Sequence, residues 1–311
     1  ATYTLSWLPI GRDAGFFVAL EKGYYKQKGV DLKIERGFGS GNAVKKIASG
    51  GGDVGLADIP AQIIFMSKNP GSRLKSLGVF HDKSMYAFFS FKGSGITNPK
   101  KLEGKSVSHV LGDPARDLFP IVARNADVDE SKIKWVPVKP SLIFGQLLGG
   151  KVDAAILWHV SKPPMEMGAK KQGKELNLVL YSDYGVDTYS NGLFTTGEML
   201  KKRPKVVRGI VDGAYRGTAW AVEHPQKAVD IFLKRNPQSG RAVAEGMWKI
   251  TVDHLLTKGA AKHGIGYQVK KKMQYTLDLV TKYLKLPRKP PVEDIYTNEF
   301  LPKLFPKRGS W

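Results

Sequence analysis

Apolar positions along this chain switch repeatedly between a period of two and a period near 3.6, which predicts strands and helices in alternation. Residues 3–7, 30–36, 54–57 and 74–80 read as strands, and 15–22, 43–49 and 61–67 as helices. An aromatic strand over 86–92 runs into Gly93-Ser94-Gly95, a flexible cluster suited to a crossing between lobes. Strands follow at 106–110, 133–138 and 176–181, with a helix at 115–125. After the polar stretch 187–192, a strand at 193–196 returns to the first lobe. The remainder is largely helical, at 206–223, 225–235, 240–256 and 267–283.

Two stretches about one hundred residues apart share one grammar. In the first, Ser40-Gly41-Asn42 leads into an apolar helix face of Ala43, Val44, Ile47 and Ala48. A glycine turn at 50–52 and the buried run Asp53-Val54-Gly55-Leu56-Ala57-Asp58 follow. In the second, Pro140-Ser141 leads into Ile143, Phe144, Leu147 and Leu148, then Gly149-Gly150 and Asp153-Ala154-Ala155-Ile156-Leu157-Trp158. Each predicts a loop, a short amphipathic helix, a glycine stop and a buried strand. The expected architecture is α/β with two lobes, residues 1–92 with 190–311 and residues 93–189. In such sheets, loops at strand ends line the ligand crevice, so the two copies would face one cleft.

At 311 residues each lobe is long enough to bury its own core. The chain has no cysteine, which removes thiolate nucleophiles, disulfide frameworks and Cys-ligated metal centres. No apolar run approaches the roughly 18 residues needed to span a bilayer. The start at Ala1, entering a strand at once, predicts removal of a signal peptide and an exported, periplasmic protein. The formal charge of +21 invites a nucleic-acid partner. The basic residues, however, fall in short dispersed clusters without aromatic interleaving or DNA-binding spacing, so no nucleic-acid partner is expected. The field favours an acidic ligand or an anionic surface.

Candidate ligand groups sit where predicted strands end. Trp7, just before Pro9 stops the ladder, is placed either to stack on a flat solute or to cap a core. Arg12 either clamps a carboxylate or stays in water, and Asp13 caps the following helix. Ser40, Gly41 and Asn42 precede a helix N-terminus, whose amides favour an anion or carbonyl oxygen while Ser40 or Asn42 caps it. Asp58 either borders the cleft or caps the helix beyond Pro60. Gly112-Asp113-Pro114-Ala115-Arg116 repeats the strand, loop and helix arrangement, with Asp113 either an N-cap or a ligand contact, and Arg116, facing cleft or solvent, the better partner for an acidic solute. Trp158 and His159 occupy the positions of Asp58 and Ile59 in the internal repeat, and a second aromatic opposite Trp7 would sandwich a planar solute. Tyr189 and Asn191 offer a hydroxyl and an amide at the return crossing, or serve only as hinge structure. No metal-ligand spacing, Walker sequence, dinucleotide fingerprint or nucleophile elbow is present, so neither a cofactor, nor a metal, nor a catalytic residue is expected.

Trp7-Leu8-Pro9, Gly15-Phe16-Phe17-Val18-Ala19, Lys22-Gly23-Tyr24-Tyr25, Gly29-Val30-Asp31-Leu32 and Gly39-Ser40-Gly41 resemble, in that order, the periplasmic solute-binding proteins of nitrate, sulfonate, taurine and thiamine-precursor ABC transporters. Later blocks, among them Lys151-Val152-Asp153-Ala154 and Gly185-Val186-Asp187-Thr188-Tyr189, extend the resemblance over nearly the whole chain. It is nearest to the thiamine-precursor, NMT1/THI5-like branch. That resemblance implies a type II periplasmic binding fold, closure on a small solute, and delivery to a membrane permease by a monomer. Where that branch commonly carries Asn and His, this chain has Ile10 and Asp13, which argues against a pyrimidine. The branch's pyrimidine-forming enzyme has a cysteine-rich loop that this chain lacks. The expected function is therefore a non-enzymatic binder of an aromatic or heterocyclic solute, with or without an acidic group. The alternatives are an alkanesulfonate, taurine or similar oxyanion binder, and an enzyme of pyrimidine or small-acid chemistry.

Overall fold

The computed structural model describes residues 1–111 and 113–311. Gly112, part of the repeated loop motif, lies outside the described residues. The chain begins with β1 (Thr2–Thr4), a 3-10 turn at Gly11–Asp13, α1 (Ala14–Glu21), β2 (Lys33–Glu35), α2 (Ser40–Ala48), β3 (Val54–Asp58), α3 (Ile59–Lys68) and β4 (Leu74–Val79). It continues through β5 (Tyr86–Phe91), β6 (Ser106–Val110), α4 (Pro114–Asn125), β7 (Lys134–Val138), α5 (Ile143–Leu148), β8 (Ala154–Trp158), α6 (Lys162–Lys170) and β9 (Leu176–Leu180). The last part contains β10 (Asn191–Thr196), α7 (Gly197–Lys202), α8 (Pro204–Glu223), α9 (Pro225–Arg235) and α10 (Arg241–Leu255). The helices α11 (Lys258–His263), α12 (Lys270–Tyr283) and α13 (Val292–Ile295) end it. Two compact units result: Ala1–Asp82 with Thr188–Trp311, and Lys83–Asp187.

In the first unit the sheet order is β2-β1-β3-β10-β4, with β1 parallel to both neighbours and β10 antiparallel to β3 and β4. Strand β1 is shorter than the pattern predicts. Its ladder ends where Leu5 N–H donates to Glu35 O at 2.8 Å, and Ser6 to Leu8 bend ahead of Pro9. The core runs as an aromatic chain: Tyr3 on Phe16 at 5.1 Å, Phe16 on Phe80 at 4.7 Å, and Phe80 stacked on Tyr215 at 4.6 Å. Helices α1 and α8 approach so closely that a Cβ on Gly217 would lie 2.3 Å from Gly15 O.

The second unit repeats this plan with the order β7-β6-β8-β5-β9, the antiparallel strand again lying beside the central one. Its core gathers Ala87, Phe89, Leu147, Ala155 and Met165. The internal repeat is reproduced in the bonding of its aspartates. Asp53 Oδ2 accepts Thr2 N–H at 2.7 Å and Asp53 N–H donates to Thr2 Oγ1 at 3.2 Å. Asp153 does the same with Ser106, at 2.8 and 3.0 Å. Strand β5 corrects the expected boundary at residue 92: its ladders run to β8 and β9, so it belongs to the second sheet. The chain accordingly changes unit after Asp82, and returns at Thr188.

Candidate functional site

In the first unit the parallel direction of β1, β3 and β4 brings their carboxyl ends to one edge of the sheet, where antiparallel β10 begins. Four candidates gather at or near this edge. Trp7 is half-buried in the bend after β1. Arg12 is buried in the 3-10 turn, with Nε 3.2 Å from Asp13 Oδ1 and Nη2 donating to Ser6 Oγ at 2.7 Å. Asp58 ends β3 and faces Asn191, the first residue of β10, across the ladder. Asn191 is wholly buried, and neither atom of its side-chain amide has a hydrogen-bond partner among the described residues.

Several local expectations change. Asp13 makes no side-chain cap to α1; its Oδ2 accepts Ile10 N–H at 3.1 Å. Burial raises the Asp13 carboxyl above its ordinary range, against the pull of Arg12. Neither Ser40 nor Asn42 caps α2. Gly39 is the N-cap, at φ 108°, and Ser40 Oγ accepts Asp58 N–H at 3.1 Å. The exposed first turn at Gly41 and Asn42 therefore presents backbone amides without a side-chain cap. Asp58 holds the N-cap position of α3 but makes no side-chain cap bond. Tyr189 is wholly buried: its hydroxyl accepts Val269 N–H at 2.8 Å and its amide donates to Thr276 Oγ1 at 3.1 Å. It ties β10's approach to α12 and carries structural load.

The first unit also holds groups that the sequence reading left unassigned. His81 lies two residues beyond the end of β4 and is buried, and its Nδ1 has no hydrogen-bond partner among the described residues. Its ring lies 6.3 Å from that of His254 on α10. Burial first, then His254 and Arg12, holds the His81 pKa well below the ordinary imidazole range, so the ring is neutral at pH 7. Ser190 Oγ, beside Asn191, is likewise buried without a partner. A polar residue directly after a buried strand was the available signal for His81, the same one that marked Asp58.

In the second unit Asp113 caps α4, accepting Ala115 N–H at 2.8 Å, and its other oxygen accepts the indole N–H of Trp158 at 3.2 Å. Desolvation raises the Asp113 pKa despite both donors. Trp158 therefore has no free N–H to offer, and its ring meets Tyr86 edge-on at 5.6 Å and 90°. Tyr181 extends the array, 6.0 Å from Tyr86, with its hydroxyl buried and unpartnered. His159 follows Trp158, its amide donating to Met85 O at 2.6 Å. Arg116 is not gathered here. Its guanidinium pairs with Glu130 at 3.2 Å and lies over the Trp135 ring at 3.8 Å, which favours a structural role. Among the described residues no group of three or more His, Asp or Glu could hold a metal ion.

A family model described as "NMT1/THI5 like" matches residues 12–228. The chain is 21% identical to the riboflavin-binding protein RibY of Chloroflexus aurantiacus, over 97% of this chain and 86% of that protein. It is 22% identical to the formylaminopyrimidine-binding protein of Halalkalibacterium halodurans, over 82% and 76%. It is 25% identical to the 4-amino-5-hydroxymethyl-2-methylpyrimidine phosphate synthase THI5 of Saccharomyces cerevisiae, over 76% and 71%. Among solved structures, the periplasmic aliphatic sulphonate binding protein SsuA from Escherichia coli aligns with a TM-score of 0.70 at 15% identity, covering 96% of this chain and 97% of that one. That likeness shows a shared fold, the one expected for periplasmic binding proteins.

Proposed function

The chain belongs to the NMT1/THI5-like family, and from that premise we propose that it is the periplasmic solute-binding component of an ABC importer. Its solute is a small aromatic or heterocyclic molecule, which it hands to a membrane permease. The observation that carries this reading is Asn191. A buried amide with both its donor and its acceptor unpaired is costly unless a ligand meets both. A heterocycle with adjacent N–H and C=O or ring nitrogen does so. A sulfonate has only acceptor oxygens and would leave Asn191 Oδ1 unmet. The half-buried Trp7 adds aromatic surface at a strand end of the same unit. Two relatives, moreover, are named for flat nitrogen heterocycles. Synthases share the family, but this chain has no cysteine with which to build the cysteine-rich loop that the resemblance attaches to that activity.

The test is calorimetric titration of the full chain with riboflavin, 4-amino-2-methylpyrimidine and taurine, followed by recovery of the solute. A heterocycle should bind and return unchanged, and Asn191→Leu should weaken it by about tenfold or more. Binding of taurine alone, or conversion of the solute, overturns the proposal.

A further inference from the structure

His81 is joined to Asn191 through the backbone. The amides of Phe80 and His81 both donate to Asn191 O, at 2.8 and 3.2 Å, and Ser190 N–H donates to His81 O at 3.0 Å. Two consecutive residues thus oppose one, the bonding of a β-bulge, just beyond the pair of Val79 with Gly192. Strict alternation would turn Phe80 and His81 to opposite faces of the sheet, and the extra residue of a bulge re-aims the second of them.

The packing shows the face they share. The Phe80 ring stacks on Tyr215 at 4.6 Å, and the His81 ring lies 6.3 Å from that of His254. Phe80, Tyr215 and Leu255, the neighbour of His254, lie in one core. Leu193 lies in it too, and Asn191, two residues earlier on the same strand, points to the same face. On that face three buried atoms have no partner among the described residues: both atoms of the Asn191 amide, and His81 Nδ1. Two adjacent ring positions, one donor and one acceptor, meet Asn191 alone and leave His81 Nδ1 unpaired, at the cost that attaches to any buried polar atom. Burial keeps His81 neutral at pH 7, so its Nδ1 is either a single donor or a single acceptor, and not a charge.

We infer that His81 is a further solute-contacting residue, set beside Asn191 by the bulge, and that the solute is a heterocycle with three consecutive polar positions of alternating kind along one edge. This rests on the reading of Asn191 as a solute group. Asn191 takes two of the positions and His81 Nδ1 takes the third. A cyclic imide, with C=O, N–H and C=O in a row, fits when Nδ1 carries the proton. A diamino heterocycle, with NH2, ring nitrogen and NH2, fits when Nδ1 is bare. An aminopyrimidine with a methyl group at the third position satisfies only Asn191.

The experiment is an NMR titration of the full chain, labelled with 15N-histidine, using uracil, 2,6-diaminopyridine and 4-amino-2-methylpyrimidine. Uracil or 2,6-diaminopyridine should bind about tenfold more tightly than the aminopyrimidine and move the His81 Nδ1 resonance saturably. With uracil that nitrogen is protonated; with 2,6-diaminopyridine it is bare. His81→Asn keeps a polar group near the Nδ1 position and should hold the affinity within about threefold, whereas His81→Phe, which keeps a ring against His254, should lower it about tenfold. A purely structural role for the ring gives the reverse order, with His81→Phe the better binder. That order, a His81 resonance that does not move, or equal affinity for all three probes overturns the inference, and the resonance of the unaltered chain decides if a variant fails to fold. If only the aminopyrimidine binds, the His81 contact falls while the Asn191 reading stands; if none of the three binds, both fall.

Discussion

Asn191→Leu replaces a wholly buried amide with an apolar side chain of similar size at the first residue of β10. Each unpaired buried polar group costs about 1–3 kcal/mol, and Asn191 has two. Some of that cost is offset in the solute-free protein by water entering the site, and leucine packs imperfectly in a space shaped for an amide. The net expectation is a solute-free variant more stable by about 1–2 kcal/mol. For a unit of this size that is a rise in Tm of about 2–4 °C per kcal/mol. Solute reverses the order. At one hundred times Kd the native chain gains about 2.7 kcal/mol from binding, whereas a variant bound tenfold more weakly gains about 1.4. Urea melts of both proteins, with and without solute, measure all four stabilities. A variant destabilised in the free state by more than about 1 kcal/mol would show that the amide holds the fold together. Equal stabilisation of both proteins by solute would remove Asn191 from the site.

Asp153 should define part of the acid limb of the second unit. Burial pushes its pKa up, but the Ser106 hydroxyl and amide outweigh this and hold it below the ordinary value. Its stabilisation is therefore present above the unfolded pKa of about 4 and lost as pH falls through the lower folded value. Asp153→Asn should cost about 0.5–1 kcal/mol at pH 7, the exposed carboxylate being partly screened, and should flatten that limb in pH-dependent urea melts. Trp158→Phe removes one of the two donors to Asp113 and should raise that carboxyl's pKa further, read by carboxyl NMR; an unchanged midpoint would refute the bond's electrostatic role. Tyr189→Phe strands the Val269 amide and should cost about 1–2 kcal/mol in a thermal melt with solute affinity unchanged; a weaker affinity would return the hydroxyl to the site.

How much was legible in the sequence depended on how local its cause was. Strand β6 was read at its observed bounds, and α4, β4 and β8 to within a residue or two, because periodicity and glycine stops are local. Strand β1 was overextended, since Trp7 continues the apolar pattern although Pro9 has already turned the chain. Strand β5 was placed in the first lobe because the glycine cluster after it looks like a crossing. Its true partners, β8 and β9, are fixed by ladders to distant residues. The same distinction governs the site. Asp58 was readable as a polar residue at a strand end, whereas Asn191 was read only as an amide at the return crossing, two residues ahead of the strand it in fact opens. Arg116 was not, because its role depends on Trp135 and Glu130, which no spacing rule connects to it.

The repeat separates scaffold from chemistry. At the start of each central strand the aspartates make matching bonds, Asp53 to Thr2 and Asp153 to Ser106, pinning the parallel neighbour, β1 in one sheet and β6 in the other. At the other end the correspondence of position continues while the chemistry diverges. Asp58 faces Asn191 across the antiparallel ladder of the first sheet, and Trp158 faces Tyr86 across that of the second. One tip carries two polar side chains and the other two aromatic rings. The first tip pays for its difference with an unpaired buried amide, and that is the reason to assign it to a ligand with donors and acceptors of its own. The second tip pairs its indole N–H with Asp113 and leaves only the Trp158 ring half-buried. A molecule with a polar edge meets both the donor and the acceptor of the first tip, whereas a compact oxyanion uses only donors and leaves the Asn191 carbonyl oxygen unmet.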